Sequence, residues 1–310
     1  MSTPDYDIII IGGGPAGLTA GLYACRARLK CLLIEKMFVG GQVATTETVE
    51  NYPGFQDGIK GPELTQNMEE QAKRFGLEIM TGDVEKVGIG ENELRNVKLT
   101  NKELSWSCLI VASGTKPNEL GVNGESELRG RGVSYCATCD GPFFKDLDIA
   151  VIGGGNSAVE EGMFLTKYAK KVYIVHRRDK LRADKILQER AFDNKKIEFV
   201  WDSVLDKIEG SQTVNAIDVR NVKTDAVSKL DVGGVFMYVG IKPNTEFLNG
   251  VVSLDKRGFV ITDDEMNTSV PGIFAAGDVR VKLLRQIATA VGDGATAAFA
   301  AEKYIDGMNR

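Results

Sequence analysis

The chain has 310 residues, with 38 basic and 43 acidic side chains, a net charge of −5, five cysteines and a single histidine. Neither sign of charge forms a long run, so no electrostatic footprint for nucleic acid or an anionic membrane is present, and a length of this order suits two domains of about 100–200 residues each. The N-terminus, Met1 to Asp7, lacks the basic region and long apolar stretch of a secretory signal, which makes the cytoplasm the expected address.

In chain order, the first informative element is Asp7-Ile-Ile-Ile-Ile followed by Gly12-Gly-Gly14-Pro15-Ala16-Gly17. A short continuous apolar run reads as a strand buried in a parallel sheet. The glycines permit a tight turn and close approach of a pyrophosphate, and the next segment reads as a helix whose N-terminus favours phosphate. The next strand, Lys30 to Glu35, ends in a carboxylate placed to accept from a ribose 2′-hydroxyl, so this first site fits an unphosphorylated adenosine such as that of FAD. The stretch from Asp57 through Glu70 reads as the solvated face of a surface helix, with Leu64, Met68 and Phe75 turned inward. Cys108 starts an apolar strand that ends in Gly114-Thr-Lys-Pro-Asn118.

The pattern then repeats. Asp148-Ile-Ala-Val-Ile precedes Gly153-Gly-Gly155-Asn156-Ser157-Ala158, and an offset of 141 residues carries Gly12 onto Gly153 and Glu35 onto His176. One glycine-rich turn is weak evidence; two in matching strand–turn–helix context are strong. The second copy replaces the carboxylate by His176-Arg177-Arg178 with Arg182, cations suited to a 2′-phosphate, which points to NADPH. His176 itself is ambiguous and is expected only to pack beside the adenosine site. Val235 to Asn244 again ends a strand in Gly-x-Lys-Pro-Asn, so chain breaks fall near Asn118 and Asn244. The expected fold class is therefore α/β, two Rossmann-like domains with the second inserted into the first. Residues 1–117 and 245–310 would form the FAD domain and 118–244 the NADPH domain. In the return, Gly277-Asp278 offers close backbone approach and an acceptor for a polyol. The apolar stretch Arg285 to Ile305 reads as a helix, and its first turn, Arg285-Gln286-Ile287, faces a ligand where helix N–H groups favour an anionic reduced flavin.

Between the two copies lies Cys136-Ala-Thr-Cys139-Asp140. Two thiols exchange two electrons as a disulfide, and two dinucleotide sites on the same chain can supply them through a flavin. A CxxC is also half a zinc site, but the remaining cysteines form no second pair and His176 belongs to the arginine cluster, so no metal is expected. Cys25, Cys31 and Cys108 read as small buried apolar residues.

Taken together, Gly12–Gly17, Gly40-Gly41-Gln42, Val49-Glu-Asn51-Tyr-Pro-Gly54, the Cys136–Asp140 motif, Gly153–Ala158, His176–Arg178 with Arg182, Phe274–Asp278 and Arg285-Gln286 resemble the low-molecular-weight thioredoxin reductases along the whole chain. The resemblance implies an FAD domain, an inserted NADPH domain carrying the dithiol, a homodimer, and thioredoxin as protein substrate. It also implies that Gln42, Asn51, Asp278 and Gln286 contact the flavin, and that Ser157, Arg177, Arg178 and Arg182 contact NADPH; Gly41, Gly114, Arg285 and Ile287 are expected in the same FAD site. By the same likeness Cys139 faces the flavin, Cys136 attacks the partner disulfide, Asp140 supplies a proton, and one domain rotates against the other between half-reactions, with hinges near Pro117-Asn118 and Pro243-Asn244. Competing expectations are reduction of another dithiol protein, glutaredoxin-like or the carrier of a peroxide-reducing system, and a non-catalytic sensor of nicotinamide redox state.

Overall fold

The computed structural model describes residues 4–46, 48–89 and 95–308. The chain divides into two compact units, Met1–Lys116 with Lys242–Arg310, and Pro117–Ile241.

The first unit opens with β1 (Tyr6–Ile11), α1 (Pro15–Arg26), β2 (Cys31–Glu35), α2 (Gly61–Arg74), β3 (Glu78–Thr81), β4 (Val84–Ile89), β5 (Arg95–Leu99), β6 (Lys102–Val111) and β7 (Thr115–Pro117). Within a seven-stranded sheet the order is β3-β2-β1-β6-β5-β4. The apolar runs form strands because both faces are covered: Ile8 and Ile10 enter one core cluster with Leu33, Cys108 and Ile110, while Ile9 and Ile11 enter another with Leu32, Ile34 and Val111. Period-two alternation thus divides one run between two cores. Cys108 lies inside β6 and does not start it, contrary to the sequence expectation. The strand begins earlier because Lys102–Ser105 pair antiparallel with Leu99–Asn96 of β5, before Trp106 and Cys108–Val111 pair parallel with β1.

The second unit contains β8 (Val133–Ser134), α3 (Ala137–Asp140), β9 (Asp148–Ile152), α4 (Asn156–Leu165), β10 (Lys171–Val175), α5 (Lys185–Asp193), β11 (Ile197–Val200), β12 (Ser203–Gly210), β13 (Val214–Asn221), β14 (Val227–Asp231) and β15 (Gly234–Met237). A parallel sheet runs β11-β10-β9-β15-β8, beside an antiparallel three-stranded sheet, β12-β13-β14. Here too the central run is shared out: Ile149 and Val151 pack with Val172, Ile174 and Phe236, and Ala150 and Ile152 with Val175, Val235 and Met237.

The chain returns through β16 (Ile241–Pro243), which pairs with β7, then β17 (Ile273–Ala275) and α6 (Ile287–Met308). β17 adds parallel to β6, extending the first sheet, and the helix expected from Arg285 starts at Ile287.

Candidate active site

In the first unit the turn after β1 places Gly12 at φ +107, and a Cβ there would lie 2.3 Å from the Ala112 carbonyl oxygen. Only glycine fits so close a crossing. The helix that follows has Gly14 at its N-cap, Pro15 in its first turn and no side-chain cap, so its first N–H groups are left for another acceptor. Glu35, at the end of β2, receives the Gly13 N–H at 2.7 Å and the Met37 N–H at 3.0 Å, which fixes its carboxylate beside that turn.

The other predicted residues of this cleft converge on it. Gly40 donates to the Gly13 carbonyl at 2.8 Å, bringing Gly41 and Gln42 beside Gly14, and Gln42 Nε2 donates to the Thr115 carbonyl at 2.8 Å, next to Gly114. Asn51 Nδ2 donates to Gln286 Oε1 at 3.0 Å across 235 residues of chain. Ala16 and Gly17 are buried in α1, and Gly277 packs against Ala16. Burial pushes the Asp278 carboxyl upward, opposed by the Lys282 and Arg285 charges. Arg285 donates to the Asp278 carbonyl at 3.2 Å and lies 4.2 Å over the Phe259 ring, while Ile287 opens α6. An uncapped helix terminus, a fixed carboxylate at a strand end and a half-buried acid fit the pyrophosphate, ribose and polyol of a flavin dinucleotide.

One residue missed by sequence reading holds this cleft together. Asp293, on the second turn of α6, accepts from the Gly277 N–H at 3.0 Å, Lys282 Nζ at 2.6 Å and Arg280 Nη1 at 3.1 Å. Its only signal was being the one charged side chain between Ile287 and Ala301.

The second unit repeats the turn. Gly153 and Gly155 precede α4, whose N-cap is again without a side-chain cap. His176 is 3 % exposed, and its Nε2 has no hydrogen-bond partner among the described residues. Burial, and then the charges of Arg182, Arg178 and Arg177, lower its proton affinity. A Cβ on Gly154 would fall 2.4 Å from His176 Nδ1. Arg177, Arg178 and Arg182 are exposed, and the Arg182 N–H donates to the Gly154 carbonyl at 2.7 Å, tying the basic loop to the glycine turn. Three exposed guanidiniums around an uncharged imidazole fit an added phosphate. Asn156 is engaged differently from the other predicted residues: its amide exchanges two hydrogen bonds with Asp184, at 2.8 and 2.9 Å, while Ser157 follows it in the first turn of α4.

Cys136 and Cys139 are joined as a disulfide at 2.12 Å. Cys136 caps α3, and its Sγ accepts the Cys139 N–H at 3.2 Å and lies 3.5 Å from the Thr138 hydroxyl. Cys136 is half-buried and Cys139 exposed. The turn is held by residues that the sequence did not single out. Tyr238 accepts the Ala137 N–H at 3.0 Å; Ser134 Oγ lies 2.7 Å from Asp140 Oδ2; and Glu125, buried, receives Tyr135 OH at 2.7 Å together with the Leu120 and Gly121 N–H groups. Burial drives the Tyr238 hydroxyl strongly upward, which keeps it neutral. No cluster of metal-ligating side chains occurs among the described residues.

A profile of the pyridine nucleotide-disulphide oxidoreductase family matches residues 6–294. The thioredoxin reductases of Listeria innocua and Bacillus subtilis are each 50 % identical over 302 residues, covering 97 % of this chain and 94 % and 95 % of theirs. Among solved structures, the thioredoxin reductase of Lactococcus lactis is 46 % identical with a TM-score of 0.95, covering 98 % of this chain and 100 % of its own. That of T. acidophilum is 33 % identical with a TM-score of 0.92, covering 99 % and 100 %. With half of all positions shared over almost the full length, and two glycine-turn clefts and a dithiol already located in the fold, the chain belongs to the pyridine nucleotide-disulphide oxidoreductases, among the thioredoxin reductases.

Proposed function

We propose that the chain reduces the disulfide of thioredoxin with electrons from NADPH, through FAD and the Cys136–Cys139 pair. The observation that carries the reading is the dithiol itself, bonded and lodged in the same unit as the arginine-lined glycine turn. Glu35 suits the ribose of FAD, and Arg177, Arg178 and Arg182 suit the 2′-phosphate that distinguishes NADPH from NADH. Bound in the first unit, the flavin would supply a two-electron relay between nicotinamide and disulfide.

The chain's own residues do the rest. Two electrons break the Cys136–Cys139 bond, and the Asp140 carboxyl delivers a proton to the Cys139 sulfur. The Cys136 sulfur, as thiolate, keeps the Cys139 N–H that already points at it. It attacks one sulfur of the partner disulfide, giving a mixed disulfide and a partner thiolate. Cys139, returning its proton to Asp140, then attacks Cys136 Sγ, restoring the internal disulfide and releasing the reduced partner. Phe143, 80 % exposed just beyond Cys139, offers the apolar surface that a docking protein covers. Because one unit carries both the dithiol and the pyridine nucleotide cleft, each takes its turn at the flavin through rotation of the inserted unit about its two connections. A homodimer in the cytoplasm is part of the proposal. No described helix is long and apolar enough to cross a membrane.

Sulfur substitution tests the assignment. Cys136→Ser leaves the Cys139 thiolate against oxidised flavin and is expected to show a long-wavelength charge-transfer band. The band in Cys139→Ser instead reverses the roles, and its absence from both variants removes the dithiol from the flavin.

A further inference from the structure

We propose that Ser134 is a positioning residue for the dithiol chemistry, holding the Asp140 carboxyl in place in both of its protonation states. The inference rests on the role given to Asp140 above. Ser134 ends β8 and is 4 % exposed, so its hydroxyl has little access to water and must find partners within the protein. Its Oγ accepts the Cys136 N–H at 3.0 Å. Two acceptors stand ready for its single proton: Asp140 Oδ2 at 2.7 Å and the Cys136 carbonyl at 3.2 Å.

A hydroxyl has one donor and two lone pairs, and this geometry uses them in two ways. With Asp140 ionised, Ser134 donates to the carboxylate, a charge-assisted bond that is stronger than a neutral one. With Asp140 protonated, the hydroxyl turns its proton to the Cys136 carbonyl and its second lone pair receives the acid O–H. Neither state leaves a buried polar group without a partner, and the carboxyl does not move between them. The same oxygen holds the backbone of Cys136, so the nucleophile and the acid are registered to one atom. Tyr238, whose OH receives the Ala137 N–H, also supports the turn, and Glu161 and Asp140 are the charged groups that act on it.

Threonine and valine at this position differ chiefly by the hydroxyl, which separates its role from that of side-chain bulk. The measurement is the rate at which enzyme pre-reduced with NADPH reduces oxidised thioredoxin, followed by stopped flow in Ser134→Thr, Ser134→Val, Asp140→Asn and Ser134→Val/Asp140→Asn. Flavin content and the rate of flavin reduction by NADPH serve as controls that do not involve the dithiol. Ser134→Val is expected to lose about tenfold or more while Ser134→Thr retains the rate, since the lost bond is one to a charged group. In the Asp140→Asn background Ser134→Val is expected to cost nothing further, because it acts through the same carboxyl. Equal rates for the threonine and valine variants, or losses that add in the double variant, overturn the proposal. An Asp140→Asn variant with full rate instead refutes the return of the Cys139 proton to Asp140, the part of the Asp140 role on which the proposal stands, and is recognised as such by that single variant.

Discussion

His176 and Gly154 show how a side chain and a missing side chain fit one another. The imidazole is buried against the glycine turn, and a methyl group on Gly154 has no space unless the ring moves. Gly154→Ala is therefore expected to raise KM for NADPH by about tenfold or more, as loss of a charge-assisted contact would, with flavin content unchanged; an unaltered KM contradicts the packing argument. His176 also makes stability depend on pH. Its proton affinity is lowered in the fold by burial, so the unfolded chain binds more protons and stability rises with pH. The contribution is complete above the ordinary histidine value of about 6.5 and is lost as pH falls through the lowered value. Urea unfolding without nucleotide should show a steeper loss from pH 7 to 5.5 in the wild type than in His176→Gln. Glycine turns and the arginine cluster were legible because each acts locally in sequence. Ser134 and Tyr238 were not, since a serine two residues before a cysteine carries no signal and Tyr238 reaches Ala137 across 101 residues.

At the level of elements, strands were the most legible part. Ile8–Ile11 and Ile149–Ile152 are continuous apolar runs because parallel sheets are covered on both faces, and the 141-residue offset in sequence reappears as two copies of the same strand–turn–helix. The start of β6 was misplaced because its first half is amphipathic and is held by the antiparallel pairing with β5, which the apolar pattern does not encode. Helix α6 was visible from its periodicity, but the role of Asp293 on its buried side was not. That carboxylate neutralises Lys282 and Arg280, whose side chains are only 7 % and 12 % exposed, and pins the Gly277 N–H. Asp293→Asn is expected to cost about 3–5 kcal/mol, the penalty for leaving buried charge uncompensated, and to lower the flavin retained on purification. Thermal unfolding within 1 °C of wild type and full flavin content would show that the cluster is dispensable.

For the whole molecule, the insertion of Pro117–Ile241 between two segments of the first unit leaves two covalent connections, the paired strands β7 and β16. Under the proposed function, the inserted unit presents both its nucleotide cleft and its dithiol to one flavin, and the proposal therefore includes motion about those strands. A covalent cross-link between the two units is expected to abolish steady-state turnover while both cofactors remain bound; retained turnover excludes the rotation. The central claim is that electrons pass from NADPH through Cys136 and Cys139 to thioredoxin. Its most direct test is oxidation of NADPH and of NADH by the purified holoenzyme with oxidised thioredoxin as the only acceptor. Turnover with NADPH well above that with NADH, lost in both Cys136→Ser and Cys139→Ser, is the predicted result. Equal rates with the two nucleotides, or turnover of thioredoxin that survives the loss of either cysteine, would contradict it.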